Sequence, residues 1–546
     1  MSQRTAIRIE RHLSMSHPPA ACARLYGGPL APTADVRCLQ HGVLCCRSAH
    51  TDAAGRQALA LEFADAYPFF HSHDLPVGDP AGRPVTNIQK AVTHVDDKQV
   101  INQRQLAWLT ASIISSGGVL TLQNVLIRIS EMDAWFSYLL PVAYIFVIAA
   151  FFAYLSMRFP GKNLFEIAQL LLGRWGGAAV SLLLLFHFWM IVVRDVANLA
   201  KFSSTLLLHA TPLEVIILLP ALMLMYYGQT SVEVVARVND LFYPLFVITV
   251  LLMPLLLANE IDGRLAMPLL TAAPGNLWSS SMLALGGAGD VFILGAFLHT
   301  ICNASHIRSA IRHGALLGFF LLTLLLLLVI LVLGPKMPGN FFYPTYNLVQ
   351  MVHITDFLDR LDIIILTIWF PTIACKIIAI YMALLIGLGS LLKKHDYTVF
   401  NKPVSLLLTI TCVLSFNSTT ELLSFSNFGS IFIVLAYQPL IVLLLAVAAK
   451  LRKSAATAPK AYQASEHPPS QRSSTLGRKF TYKGWLWLGN GFMAGGLLFI
   501  VVGCLLGRQM PAAGIAGGVG YALCLTMTVL TTYMEVNRLK QSQAGG

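Results

Sequence analysis

Twelve runs of about 20 apolar residues dominate this chain, long enough to cross a hydrocarbon core of about 30 Å as helices, the ninth only marginally. They lie near 106–127, 135–157, 178–207, 212–228, 240–258, 278–301, 313–334, 361–389, 402–416, 428–449, 486–506 and 512–533. A segment in lipid must satisfy its own backbone, so this pattern leaves helices or a closed barrel, and runs of this length select helices. Of 546 residues, 56% are hydrophobic and only 12% charged, against about 25% charged in soluble domains. The chain reads as an all-α polytopic membrane protein.

The net charge of +12 does not imply a nucleic-acid partner. Arg158, Lys162, Arg174, Arg237, Arg308, Arg312, Lys393, Lys394, Lys402, Lys450, Arg452 and Lys453 fall in alternate connections, whereas the opposite ones hold chiefly Arg128, Arg264 and Lys336. Excess Lys and Arg mark the cytoplasmic side, and an even number of spans then places both termini there.

Four segments are expected. Residues 1–97 lack periodicity and read as a disordered tail, or as translated upstream sequence with the true start near Val92 or Val95. A ten-span core occupies 98–450. Residues 451–482, rich in Ser, Ala, Pro, Gln and Lys, form a cytoplasmic linker. Residues 483–546 form a two-span hairpin with glycine-rich faces, Gly491/Gly495/Gly496 and Gly514/Gly517/Gly518/Gly520, suited to close packing.

Within the core, the first and sixth spans are interrupted by glycine in matching places: Ser115-Ser116-Gly117-Gly118 and Gly286-Gly287-Ala288-Gly289. Their centres lie about 170 residues apart, the spacing of a five-plus-five inverted repeat, whose paired broken helices point to a midplane ligand site. Unwinding there frees N–H groups that favour a carboxylate and carbonyls that favour an ammonium or cation, which together match an amino acid. Ser115 and Ser116 add hydroxyls. Packing alone is the plainer account of the glycines.

Charges inside the spans are expensive and need partners or water. Asp290 directly follows the second interruption and suits a substrate amine, a proton or a structural hydrogen bond. Lys376 sits deep in the eighth span, where its ammonium stands in for a coupling cation or pairs with Asp290. Arg194 and Asp195 are helix neighbours about 100° apart, so each is expected to find its own partner across the bundle. His187 reads as a satisfied core histidine. Asp356, Asp359, Arg360 and Asp362 read as a solvated helix end or as gate charges.

Cys38-x-x-His41-x-x-x-Cys45-Cys46 has zinc-ligand types without a supporting fold pattern. No HExxH, GxSxG or Walker loop is present, so no enzyme, no cofactor and no metal are expected.

The ordered set Ser115-Ser116-Gly117-Gly118-Val119-Leu120, Asp133-Ala134-Trp135, Phe159-Pro160-Gly161-Lys162-Asn163-Leu164-Phe165-Glu166, Tyr226-Tyr227-Gly228 with Glu233 and Arg237, and Phe357-Leu358-Asp359-Arg360-Leu361-Asp362 with Trp369 resembles the spore-germination receptor B subunits. These belong to the amino acid–polyamine–organocation superfamily. The resemblance covers about 98–450 and implies a leucine-transporter-type inverted repeat with broken spans 1 and 6. It also implies sensing of a small nutrient, often an amino acid, in the spore inner membrane. The partners it implies are a germinant receptor A subunit and a lipoprotein C subunit. The terminal hairpin resembles, more weakly, the small two-span fourth subunit of some receptors, as a fusion or a gene-assembly error. The alternative function is a proton-coupled amino-acid transporter on the same fold.

Overall fold

The computed structural model describes residues 101–301, 304–352, 361–394, 396–452, 482–507 and 509–544. The tail at 1–97, the Cys38–Cys46 segment, nearly all of the linker, and Asp356, Asp359 and Arg360 lie outside the described residues.

Each apolar run forms a helix. In chain order these are α1 (Gln103–Thr121), α2 (Gln123–Ser130), α3 (Leu139–Arg158), α4 (Leu164–Leu206), α5 (Leu213–Tyr227), α6 (Val232–Leu256), α7 (Pro274–Ala288), α8 (Ala304–Leu333), a short α9 (Pro344–Gln350), α10 (Leu361–Leu392), α11 (Asn401–Ser415), α12 (Thr419–Ser424), α13 (Ser430–Leu451), α14 (Tyr482–Leu506) and α15 (Pro511–Ala544). Local sequence sets several starts: Asn102 and Gln105 form a capping box on α1, and the Asn163 side chain accepts from Glu166 N at 2.9 Å at the start of α4. Among the described residues, ten helices are long and apolar enough to cross a membrane, which makes this a multi-pass membrane protein. Two expected spans fall outside that set. Serines, glycines and a polar start dilute α1, and α5 has only 15 residues.

The first and sixth spans are antiparallel neighbours, as a five-plus-five arrangement requires. Ile101, just before α1, donates its N–H to Thr300 O at 2.8 Å, at the far end of the 3-10 helix Gly289–Thr300 that continues α7. From that junction, 16 residues of α-helix and 10 of 3-10 helix each rise about 20–24 Å, so Gly117 and Asp290 arrive at similar depth. Behind α1, Gly314 and Gly318 bring α8 against the Ala107 and Ala111 carbonyls, backbone to backbone.

The interruptions differ from the expected unwinding. The helix runs unbroken through Ser115–Gly118 and changes only at Leu122, between α1 and α2. Ser115 Oγ donates to Ala111 O at 2.7 Å and Ser116 Oγ donates to Ser112 O, so both hydroxyls are satisfied within the helix and need no unwound backbone. At the second site the chain stays helical but tightens from α to 3-10 at Gly289. The glycines serve close approach. A Cβ on Gly286 would meet Ile431 N at 3.0 Å, and one on Gly289 would overlap the Val434 side chain, both on α13.

The terminal hairpin packs α14 on α15 and docks α15 on α8. Within the hairpin Gly503 faces Gly517 and Gly507 faces Gly514, and Gly514 comes closest to the core backbone, where an added Cβ would overlap Leu269 O. Arg312, counted above as a charge in a connection, is instead buried in α8 against this hairpin.

Candidate functional site

Three elements converge on a buried ionic cluster. From α10, Lys376 Nζ donates to Asp290 Oδ2 at 2.7 Å and lies 2.9 Å from Asp195 Oδ2. From α4, Arg194 Nη2 donates to the same Asp290 oxygen at 2.7 Å, and its Nε donates to Asp195 Oδ1 at 2.8 Å. Arg194 Nη1 also donates to Ser430 Oγ at 3.1 Å. All four charged residues are buried. Two cations and two carboxylates cancel, which is the condition for charges to persist at this depth. Arg194 and Asp195 are not a simple pair: each has a partner across the bundle, Asp290 and Lys376, and the long guanidinium in addition bends back to its neighbour.

The cluster explains Gly117. A Cβ there would lie 2.5 Å from Lys376 Nζ and 3.7 Å from Asp290 Oδ2, so the missing side chain is the ammonium's seat. Gly118 instead makes room for Leu322 of α8, whose Cδ1 would be 2.7 Å from an added Cβ.

Beside the cluster is a cavity of about 30 Å³, with Gly117, Gly118, Arg194, Asp195, Gly287 and Asp290 in its wall. The structure thus brings together six residues singled out from sequence, with Lys376 set against them. Gly286 lines a separate void of about 10 Å³ on the other side of Arg194, with His187 and Ser430. Ser115, Ser116 and Gly289 line neither; they shape the spans that do.

Sequence reasoning missed the contribution of the tenth span. A π-helical turn, Phe425–Gly429, precedes α13 and delivers Ser426 and Asn427 to the cavity, where Asn198 joins them from α4. Asn198 Nδ2 donates to Ser426 Oγ at 2.9 Å. The signals were present: Asn198 follows Arg194 by one helical turn, and Ser424-Phe425-Ser426-Asn427-Phe428-Gly429-Ser430 interrupts an apolar run with polar residues and glycine. Gln438 was missed too. Its Nε2 donates to Gly289 O at 3.0 Å and approaches His187, and its Oε1 accepts from the Tyr144 hydroxyl, which fixes the α-to-3-10 transition.

Three buried oxygens of cavity-lining residues, Asp290 Oδ1, Asn198 Oδ1 and Asn427 Oδ1, have no hydrogen-bond partner among the described residues. Acceptors of this kind suit an ammonium or another donor, and the adjacent Arg194 suits a carboxylate. A volume of about 30 Å³ holds one or two waters, so anything larger enters only if the spans part.

Other singled-out residues have structural positions. Asp133 accepts from Leu270 N at 2.6 Å and Ala272 N at 2.8 Å, clamping the turn before α7. Asp362 is buried and accepts from the Tyr346 hydroxyl at 3.1 Å, which places it inside the fold at the start of α10. Glu233 and Arg237 pair on an exposed helix face at 2.5 Å.

Comparison with known proteins supplies a family for this cluster-bearing core. YfkT of Bacillus subtilis (strain 168), named for spore germination, is 28% identical over 306 residues, covering 56% of this chain and 83% of that protein. Spore germination protein YndE of the same organism is 22% identical over 323 residues, 57% of this chain and 87% of that one. Among solved structures, Mhp1, a nucleobase-cation-symport-1 family transporter in a closed conformation, overlays on 80% of this chain and 94% of its own at 12% identity and a TM-score of 0.48. The sequence profile of the spore germination proteins, the spore permeases, matches residues 100–421, which hold α1 through α11 and every charged member of the buried cluster. The chain therefore belongs to the spore germination protein family.

Proposed function

We propose that this chain is the non-enzymatic, nutrient-binding membrane subunit of a germinant receptor, placed in the spore inner membrane with both termini cytoplasmic. The observation that carries the reading is the convergence of paired ions and unpartnered acceptors on one buried cavity between the first, third, sixth and tenth spans. A small zwitterion such as an amino acid meets that chemistry, with its amine toward Asp290, Asn198 and Asn427 and its carboxylate toward Arg194. Because the cavity is too small for it in this arrangement, binding favours a more open one. A ligand that binds two arrangements unequally shifts their balance, and that shift is the signal. An A subunit and a lipoprotein C subunit are the proposed recipients. Family membership supports the germination context.

Deleting the gene in the native spore former tests this. Spores are expected to lose dipicolinate release in response to particular nutrients, while growing cells keep normal amino-acid uptake. Intact germination with impaired uptake would overturn the receptor reading. One observation favours a second reading, proton-coupled amino-acid transport: Lys376 lies within 3 Å of two carboxylates, an arrangement suited to moving a proton. Uptake driven by a pH gradient, in vesicles carrying this chain alone, would establish it.

A further inference from the structure

At the basic end of the bundle, far from the buried cluster, the chain builds a second and larger cavity. It measures about 640 Å³ and lies between the start of α4 and the end of α10. Lys162, Arg174 and Lys393 face it together with a single carboxylate, Glu166. None of the three cations forms an ion pair among the described residues. The remaining wall includes Leu170 and Leu392, which are 38% and 51% exposed.

The backbone is shaped for this space. Gly173 takes φ +77°, bending α4 into two pieces, and Gly177 approaches the Gln169 backbone so closely that no side chain fits between them. The elbow sets Arg174 at the rim with its guanidinium over the Trp175 ring, and Trp175 is 84% exposed. On the other wall α10 ends in a closed turn. Ser390 O accepts from Gln169 Nε2 at 3.2 Å and Gly389 O accepts from Lys394 N at 2.9 Å, so these carbonyls are occupied before an anion could meet them.

We propose that this cavity binds the phosphodiester head group of an anionic phospholipid. A surplus of unpaired cations fits a phosphodiester, and an arginine engages phosphate oxygens through two donors. The exposed leucines continue the cavity into the acyl region, and an exposed indole belongs at the head-group level. A freely soluble phosphate uses neither feature. Lipid held here ties the elbow of α4 to the end of α10, the two helices that carry Arg194, Asp195 and Lys376.

The test uses the full chain reconstituted in phosphatidylcholine bilayers containing one-fifth phosphatidylglycerol, then extracted in mild detergent. Phosphatidylglycerol retained per protein is measured by mass spectrometry. R174Q/K393Q is expected to lower retention on the order of tenfold or more, since each basic residue near an anionic surface contributes about fivefold. Leu170→Gln should lower it severalfold by disturbing only the apolar wall. Lys402→Gln, a charge outside the cavity, should leave it unchanged. Wild-type retention in R174Q/K393Q would refute the site. An equal loss in Lys402→Gln would reduce it to general surface attraction. Displacement of the lipid by millimolar inorganic phosphate, with Leu170→Gln silent, would show a soluble-anion site instead.

Discussion

Alanine at position 117 is the most selective perturbation available. Its methyl group would sit 2.5 Å from the Lys376 ammonium, the far end of a flexible side chain that can move away at modest cost. The displaced ammonium then leaves two carboxylates under-compensated. Gly117→Ala is expected to abolish the nutrient response with folding loss of about 1–3 kcal/mol. Gly118→Ala, which strikes Leu322 and not the ions, should lower thermal stability in detergent and retain a nutrient response. Dose–response curves and melting midpoints of the two variants separate these outcomes; matching profiles would mean that both glycines only pack. The ions themselves have a clearer ledger. Asp290→Asn or Lys376→Met alone strands a buried charge, at about 3–5 kcal/mol, whereas the double variant restores neutrality and should lose less than either single. At this scale the sequence was informative about identity. Arg194, Asp195, Asp290 and Lys376, singled out because buried charge is costly without partners, meet in one cluster. How they pair was not legible, since it depends on a guanidinium reaching two carboxylates from different elements.

The helices were legible because a bilayer demands long apolar runs, and each run did become one. What hydropathy could not reveal is helix type. The 3-10 stretch Gly289–Thr300 is as apolar as an α-helical span, and the polar residues of Phe425–Gly429 mark an interruption without showing that it is a π turn. Neighbouring side chains select both. Gln438 is one such selector, holding the Gly289 carbonyl at the point of change. Leucine there removes both that donor and the acceptor for Tyr144. Gln438→Leu is expected to destabilise the protein by about 1–3 kcal/mol through unsatisfied buried groups. It should also right-shift the nutrient response, because the Asp290 backbone is no longer fixed. Hydrogen exchange of the 289–292 amides measures this directly, with faster exchange expected in the variant. Unchanged exchange would assign the transition to α13 packing alone, through Gly286 and Gly289. Those glycines explain why matching interruptions looked like unwinding: close approach and unwinding leave the same mark in a sequence.

At the scale of the molecule, the hairpin is bound to the core by a polar contact inside the bilayer region. Arg312 Nη1 lies 3.6 Å from Glu535 Oε2, Arg312 Nη2 donates to Asn490 Oδ1 at 2.9 Å, and His313 Nδ1 meets Thr532 Oγ1 at 3.1 Å. Arg312 and Glu535 are 1% and 0% exposed, and the Arg312 guanidinium also stacks 4.8 Å from the Phe146 ring. Trp135 and Phe136 close the contact against Tyr521. The same helix, α8, presses its glycines on α1 behind the buried cavity, so α15, α8 and α1 form one packed stack. A linker in the sequence suggested a module merely appended; the buried ions argue for one that stays docked even when its tether is cut. A site-specific protease sequence placed within 453–481 tests this. After cleavage in mild detergent, the 482–546 fragment is expected to co-migrate with the core through size exclusion. Glu535→Ala leaves Arg312 buried beside an empty place, at about 3–5 kcal/mol, and should release the cut fragment. Arg312→Met/Glu535→Met removes both charges together and should keep the pieces joined. Release of the wild-type fragment on cleavage would leave the linker as the attachment. Retention in Glu535→Ala would assign the docking to Tyr521 and to the close approach of Gly514 and Gly518 to Leu269, and the stack to shape alone.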